Sequence, residues 1–279
     1  MRKYGFKLFS TNLQNNPAFI DEAAAFVRAN NREMFIELMV VPTTPAEDWD
    51  VFRDKFAGLE VTIHAPHNTM NFDTGYPERF ESNAKILDAA RRAADLFDAK
   101  VIVVHAGGGG ERVNLEETAR QFRLFGDPRI VIENLPYEAE DVEGVMHGTT
   151  PEQIKYVTDY AGCGFCFDFS HAVCAANSLG LDIEKQLSGF YKLNPTVYHL
   201  CDGDINGTED RHMHYGEGSF PLKAFLQKYV AADAMITMET GISMAVFFAI
   251  VALNSALAVQ QQYGKRSRRA AVEFVEQGI

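Results

Sequence analysis

The sequence predicts a single (β/α)8 barrel, and three observations support that prediction. The chain has 279 residues, which is close to the roughly 250 residues that such a barrel usually needs. Its hydrophobic content of 47% and charged content of 23% are ordinary for a globular domain with a large core. Short apolar, β-branched runs alternate with longer stretches of helical periodicity, as in strands and helices around a parallel sheet. We therefore expect one barrel domain over residues 1–279, with residues 264–279 as a terminal helix.

Eight strands are predicted, which is the number that the barrel requires. They cover residues 4–9, 34–40, 61–64, 101–105, 129–133, 164–168, 196–200 and 234–239. Seven helices are predicted between these strands, at residues 17–29, 45–56, 78–97, 115–124, 151–161, 183–191 and 222–230. Prolines near several of the helix starts agree with this division, because proline is favoured in the first helical turn.

Residues 241–259 carry no formal charge and approach the length of a membrane span. The barrel needs an eighth helix here, and Asn254 and Ser255 interrupt the apolar surface. We therefore predict a helix that packs on the barrel with one face and on a second subunit with another, which makes a homo-oligomer. The first residues lack the apolar stretch of a secretory signal, so a cytoplasmic protein without a membrane contact is expected.

The net charge bears on possible partners, and the number of cysteines bears on disulfide formation. The net charge of −12 and the isoelectric point near 5.1 weaken a nucleic-acid interpretation without excluding it, since binding phosphate backbones needs a basic surface. Four cysteines, Cys163, Cys166, Cys174 and Cys201, are too few for a disulfide framework, so reduced thiols are expected.

Six of the predicted strands have a histidine or a carboxylate at or next to their last residue. These residues are His64, His105, Glu133, Asp168, His199 and Glu239. The carboxyl ends of barrel strands meet at one face, where active sites are built. Carboxylates gathered there repel one another unless a cation lies between them, and a divalent metal with an imidazole ligand meets that need. The core quartet of Glu133, Asp168, His199 and Glu239 therefore predicts a metal-dependent enzyme.

Further residues are expected around and beneath this quartet. His171 follows Asp168 across a predicted turn, and Asp210 and His212 share one side of a predicted extended loop. So many histidines favour zinc or manganese over magnesium. His67 is expected to contact the substrate, whereas His147 and His214 are expected to be ordinary polar residues. The layer below the metal is expected to contain Val103, Val131, Cys166, Val197 and Thr237.

Ordered motifs between Val61 and Glu239 resemble those of the xylose-isomerase-like barrel superfamily, and specifically those of endonuclease IV, the zinc AP endonucleases. The motifs are HAPH with the following Asn71, VVHAG, IEN, FDFSHA, YHLCDGD, DRHMHYGEG and MET. The resemblance implies up to three metal ions, with zinc first and manganese as the alternative. It assigns the first ion to His64 and His105, with Glu133 bridging to the second. It assigns the second ion to Asp168, His199 and Glu239, and the third to His171, Asp210 and His212.

The chain also departs from the endonuclease pattern. The first strand and its loop read KLFSTNLQNN, where the endonucleases have a glycine-containing AHVS pattern. An acidic segment, IELMVVPTTPAEDWD, stands in place of their basic DNA-recognition loop, and His67 stands in place of their usual tyrosine. An IEL strand is common among the sugar isomerases and epimerases of the superfamily. The metal chemistry is thus better supported than a DNA substrate.

Two functions follow, and the sequence favours the first. In a hydrolase of phosphodiester or phosphate-ester bonds, Glu133 bridges two metals and Arg211 binds a phosphate oxygen of the substrate. The expected catalytic residues are Glu133, Glu239 and Arg211. In a sugar isomerase or epimerase, only the quartet holds metal, and Glu133 and Glu239 exchange a proton on carbon. A metal-binding barrel without catalysis is disfavoured, because a quartet that leaves a coordination position open is typical of catalytic sites.

Overall fold

Eight parallel strands close into a barrel in chain order in the computed structural model, which describes residues 1–108, 114–139, 142 and 144–240. The strands are β1 (Lys3–Phe9), β2 (Met34–Met39), β3 (Val61–His64), β4 (Ile102–His105), β5 (Ile130–Glu133), β6 (Gly164–Asp168), β7 (Val197–Leu200) and β8 (Met235–Met238). The predicted barrel is confirmed, and each predicted strand end lies within one residue of the observed one.

Nine α-helices are present in the described part of the chain. They are α1 (Asn12–Asn15), α2 (Pro17–Ala29), α3 (Asp48–Lys55), α4 (Phe80–Phe97), α5 (Leu115–Phe125), α6 (Pro151–Ala161), α7 (Phe169–Leu179), α8 (Ile183–Tyr191) and α9 (Leu222–Tyr229). All seven predicted helices are found among them. The short α1 and the longer α7 were not predicted, and α3 begins three residues later than expected.

Two helix starts show why the proline pattern was informative. The Asn16 side chain accepts a hydrogen bond from the Phe19 amide at the start of α2. The Thr150 hydroxyl accepts one from the Gln153 amide at the start of α6. In each case a proline follows the capping residue and occupies the first helical position, where its missing N–H costs no hydrogen bond.

Helix α7 corrects the turn expected after β6. Asp168 is both the last residue of the strand and the residue that caps the helix, because its Oδ1 accepts from the His171 amide at 2.7 Å. The first eight residues of α7, from Phe169 to Ala176, are buried. The predicted turn is wrong because Asp168 both ends β6 and caps α7, so no residues are left for a separate loop.

The barrel interior below the strand ends is apolar, as expected. Its buried cluster consists of Val101, Val103, Val131, Cys166 and Val197. Thr237 is also buried, but its hydroxyl donates to the Glu37 carboxylate at 2.7 Å. All four cysteines are free thiols, as the sequence predicted.

The predicted eighth helix at 241–259, with its subunit interface, and the predicted terminal helix at 264–279 lie outside the described residues. Among the helices that are described, none is both long enough and apolar enough to cross a membrane.

His147, expected to be an ordinary polar residue, is fully buried beside α5. Its Nε2 accepts from the Asn114 amide at 3.2 Å, so the proton lies on Nδ1, which donates to the Thr118 hydroxyl at 2.6 Å. Burial lowers the pKa of His147 to about 4. The ring is therefore neutral in the folded protein at neutral pH and anchors the start of α5.

This burial predicts a loss of stability in mild acid. Because the folded-state pKa of His147 lies below the ordinary value of 6.5, the unfolded chain takes up the proton first as pH falls. Between pH 6.5 and 4.5 this group should remove about 2 to 3 kcal/mol from the free energy of unfolding. Urea titrations at the two pH values should show a shallower pH dependence for His147→Gln, and equal dependence in both proteins would contradict the assignment.

Candidate metal centre

Nine histidine, aspartate and glutamate side chains converge at the carboxyl ends of the strands. They form three groups in which each residue offers one ligand atom and these atoms lie within 4.8 Å of one another. The groups are His64, His105 and Glu133; Glu133, Asp168, His199 and Glu239; and His171, Asp210 and His212. The structure thus brings together all nine residues that the sequence proposed as metal ligands.

Strand pairing produces this convergence. The parallel register places His105 of β4 opposite Glu133 of β5, and Asp168 of β6 opposite His199 of β7. Glu239 follows β8 directly and donates its amide to the Leu200 carbonyl at 3.0 Å. Parallel strands of similar length end at the same rim, so their last side chains share one pocket.

Glu133 stands between separate imidazoles. Its Oε2 lies 3.3 Å from His64 Nε2 and 3.4 Å from His105 Nε2. Its Oε1 lies 3.2 Å from His199 Nδ1 and 3.3 Å from His171 Nδ1. Glu133 is fully buried, and each oxygen faces a different set of ligands. A carboxylate placed in this way has one oxygen available to each of two neighbouring groups of potential ligands.

The charge state of Glu133 suits that role. Burial by itself would raise the pKa of the Glu133 carboxyl, but the His199 and His105 imidazoles hold the pKa well below its usual range. Burial also lowers the pKa of His105 to about 4. A carboxylate and a neutral imidazole, with its free lone pair, are the forms that bind metal.

The Asp168 carboxylate indicates whether a cation fits among the proposed ligands. Its Oδ2 is buried and has no hydrogen-bond partner among the described residues. Burial raises the pKa of Asp168 to about 7, with His171 opposing the rise and the carboxylates of Glu239, Asp210 and Glu133 adding to it. A divalent cation would satisfy this oxygen and offset the repulsion between carboxylates, so the residues fit a metal.

Asn134, the asparagine of the IEN motif, holds this part of the site in place. Its Nδ2 donates to the Asp168 carbonyl at 2.9 Å and its Oδ1 accepts from the Asp168 amide at 2.8 Å. The Asn134 carbonyl lies 2.9 Å from His171 Nδ1, which must donate to it. His171 Nε2 then faces Asp210 Oδ2 at 3.1 Å. One residue therefore orients two proposed ligands.

The loop after β7 reaches the site by an unexpected route. Asp210 and His212 do come together, since His212 Nε2 lies 3.2 Å from both Asp210 Oδ2 and Glu239 Oε2. The extended loop predicted for them is wrong, because His212 has a φ of 44°, in the left-handed region. A turn, and not strand alternation, brings the two side chains together.

His67 and Arg211, the proposed substrate ligands, differ in position. The His67 ring stacks on His105 with 5.0 Å between the ring centroids. Burial, followed by the imidazoles of His105 and His64, lowers the pKa of His67 to about 2. The Arg211 guanidinium is exposed and pairs with Glu209 at 3.1 Å, outside the cluster. Only His67 lies against the proposed ligands in the structure.

Lys7 and Glu37 belong to the site, and sequence reasoning missed both. They lie opposite each other on β1 and β2, and the Lys7 ammonium binds the Glu239 carboxylate. Glu37 Oε2 lies 3.1 Å from His199 Nε2. Both lie inside their strands, whereas the predicted ligands were sought at the strand ends. The single charge in the wholly buried strand MFIELM would have been the clue.

A model of the xylose isomerase-like TIM barrel family matches residues 26–241, which is more than half of the chain. The chain belongs to this family. It is 28% identical over 207 residues to an uncharacterized protein of Methanocaldococcus jannaschii, covering 67% of this chain and 66% of that protein. It is 24% identical over 197 residues to a probable endonuclease 4 of Natranaerobius thermophilus, covering 63% and 68% of the two chains. The alignments span about two thirds of the length of these curated relatives.

Solved structures share the barrel. A D-tagatose 3-epimerase-like protein superimposes with a TM-score of 0.66 at 18% identity, covering 92% of this chain and 98% of that one. Endonuclease IV from Thermus thermophilus gives 0.63 at 21% identity, covering 89% and 98%. Another protein of that organism, soaked with ZnCl2, gives 0.65 at 21% identity, covering 90% and 97%. At such identities the likeness shows the fold alone.

The position of Glu133 between two sets of imidazoles predicts the effect of its removal. Glu133→Gln should lose at least one metal ion per chain together with activity, because a neutral amide is a poor bridging ligand. Elemental analysis of the purified protein measures the metal content. Glu60→Gln, at an exposed residue just before β3, is the matched control and should keep the wild-type content. Unchanged metal content in Glu133→Gln would rule out the bridge.

Proposed function

We propose that this protein is a divalent-metal-dependent hydrolase of phosphate esters with up to three metal ions, zinc being the first choice. The observation that carries the proposal is Glu133, whose two oxygens face separate imidazole sets. A site with one metal needs a single group of ligands, whereas these residues form three adjoining groups. Clusters of two or three metals are suited to phosphoryl chemistry, because they stabilise both the attacking and the leaving oxygen.

Each group of side chains would hold one ion. His64 and His105 with Glu133 would hold the first, the quartet the second, and His171, Asp210 and His212 the third. When bound, such ions supply Lewis acidity toward a phosphate and lower the pKa of a water molecule. The family membership and the zinc-soaked structural relative support a metal of this kind.

The chain itself supplies orientation and exclusion of water. The buried cluster of four valines and Cys166 lies beneath the ligands and excludes water. Electrostatic interactions above it are therefore strong. His67 lies against His105 at the cluster and is placed to contact a bound substrate. Arg211 adjoins Asp210 and His212 in sequence and, being exposed, can reach toward a phosphate oxygen as a bidentate donor.

The substrate we favour is a small phosphate ester and not duplex DNA. The net charge of −12 opposes a long polyanion. The loop between β2 and α3 adds the exposed Glu47, and the first turn of α3 adds the exposed Asp50, where a DNA-binding surface would be basic. These charges weaken the case for a nucleic-acid partner without excluding one.

A sugar isomerase or epimerase is the second candidate, and the buried IEL strand favours it. The quartet alone forms one complete group of ligands, which suffices to polarise a sugar carbonyl. Glu133 and Glu239 would then exchange the proton on carbon. This alternative assigns no metal to His171, Asp210 and His212, which separates it from the hydrolase.

Replacing one proposed ligand of the third group distinguishes the two functions. Asp210→Asn should lower hydrolysis of bis(p-nitrophenyl) phosphate by more than about 100-fold, since it removes a direct metal ligand. In an epimerase the same variant would retain the quartet and keep its exchange of carbon-bound hydrogen with deuterated solvent. Asp233→Asn, at an exposed residue before β8, is the matched control. A wild-type protein with one metal ion, ketose epimerisation and no phosphodiesterase activity would overturn the hydrolase.

A further inference from the structure

Glu37 lies directly against the proposed metal cluster without belonging to the predicted ligand set. Its side chain is 1% exposed. The carboxylate oxygen Oε2 contacts His199 Nε2 at 3.1 Å and accepts from the Thr237 hydroxyl at 2.7 Å. Oε1 has no hydrogen-bond partner among the described residues and lies 4.0 Å from Lys7 Nζ. Glu37 thus touches one proposed ligand directly, and its carboxylate also lies within 4.8 Å of ligand atoms of His64 and Glu239.

The contact between Glu37 and His199 determines which ring nitrogen faces the metals. An ionised carboxylate only accepts hydrogen bonds, so His199 Nε2 must carry the proton that it donates. His199 Nδ1 then lies 3.2 Å from Glu133 Oε1 and 2.9 Å from Glu239 Oε1, toward the cluster. A carboxylate that accepts from the outer nitrogen of a histidine fixes the ring and raises its basicity as a ligand.

Lys7 places a positive charge beside the same cluster, whereas Glu37 places a negative charge there. Its ammonium binds the Glu239 carboxylate and lies near Glu37, so it offsets the charge of two buried carboxylates. Glu239 is also a proposed ligand of the second ion. A fixed positive charge bonded to a ligand carboxylate repels an incoming dication and engages one of the ligand oxygens.

We propose that Glu37 is a positioning residue that directs His199 Nδ1 to the metal cluster, and that Lys7 is an internal cation that lowers the affinity of the cluster for metal. This inference rests on the proposed metal site. The pair then sets metal affinity from inside the barrel, one member raising it and the other lowering it.

A purely structural pair would behave differently. Lys7 and Glu37 face each other in the register of β1 and β2, so removal of either charge takes a nearby opposite charge away from a buried partner. Both single variants should therefore lose stability. If stability were the whole role, metal affinity would change in the same direction in both variants or in neither.

The test compares Glu37→Gln, Lys7→Gln and the control Glu60→Gln by competition for Zn²⁺ with a chromophoric chelator. Glu37→Gln should weaken Zn²⁺ binding by about 10- to 100-fold, and Lys7→Gln should strengthen it by about tenfold. The visible absorption of Co²⁺-loaded protein should shift in Glu37→Gln, because the His199 ligand is reoriented. Glu60→Gln should match the wild type in both measurements.

Each outcome bears on a separate claim. Unchanged Zn²⁺ affinity in Glu37→Gln overturns the positioning role, and unchanged or weaker binding in Lys7→Gln overturns the role as an internal cation. If Glu37→Gln does not fold, Thr237→Val replaces it, because it removes a hydroxyl that holds Glu37 and alters no charge. It should weaken binding by a smaller factor, and unchanged binding overturns the positioning role. If the wild-type protein binds neither Zn²⁺ nor Co²⁺, both the proposed metal site and this inference are overturned.

Discussion

The burial of the Glu133 carboxylate is the constraint on which the rest of the site depends. A carboxylate taken out of water costs several kcal/mol unless charged or hydrogen-bonding groups surround it. Here four imidazoles lie within 3.4 Å of its two oxygens. Those imidazoles come from three strand ends and one helix, so the position of Glu133 links β3, β4 and β7 to α7. The site is therefore assembled around one buried charge.

Charge in this barrel is arranged in layers. The valine cluster at the middle of the strands is dry and apolar. Lys7, Glu37 and Thr237 come above it, and the proposed ligands come at the rim. Because the low-dielectric layer strengthens every electrostatic interaction near it, the Lys7 ammonium acts strongly on Glu239 even though it lies at the edge of the cluster. The same layer explains why the carboxylates need so many partners.

The family membership accounts for the scaffold, and the differences within the site account for the proposed chemistry. Relatives in this fold include proteins described as endonucleases and as epimerases, so the barrel alone does not select a reaction. What separates the alternatives is the third group, formed by α7 and the loop after β7. That group depends on the capping of α7 by Asp168 and on the left-handed turn at His212.

The sequence by itself determined the barrel, its strands and the nine proposed ligands. Hydrophobic periodicity is local, and the last residue of a parallel strand has a predictable position at the rim. Only the tertiary structure revealed Lys7, Glu37 and the role of Asn134. Glu37 contacts His199 across 162 residues of sequence and Thr237 across 200. Such contacts exist because closing the barrel pairs β1 with β8, and no local pattern records that closure.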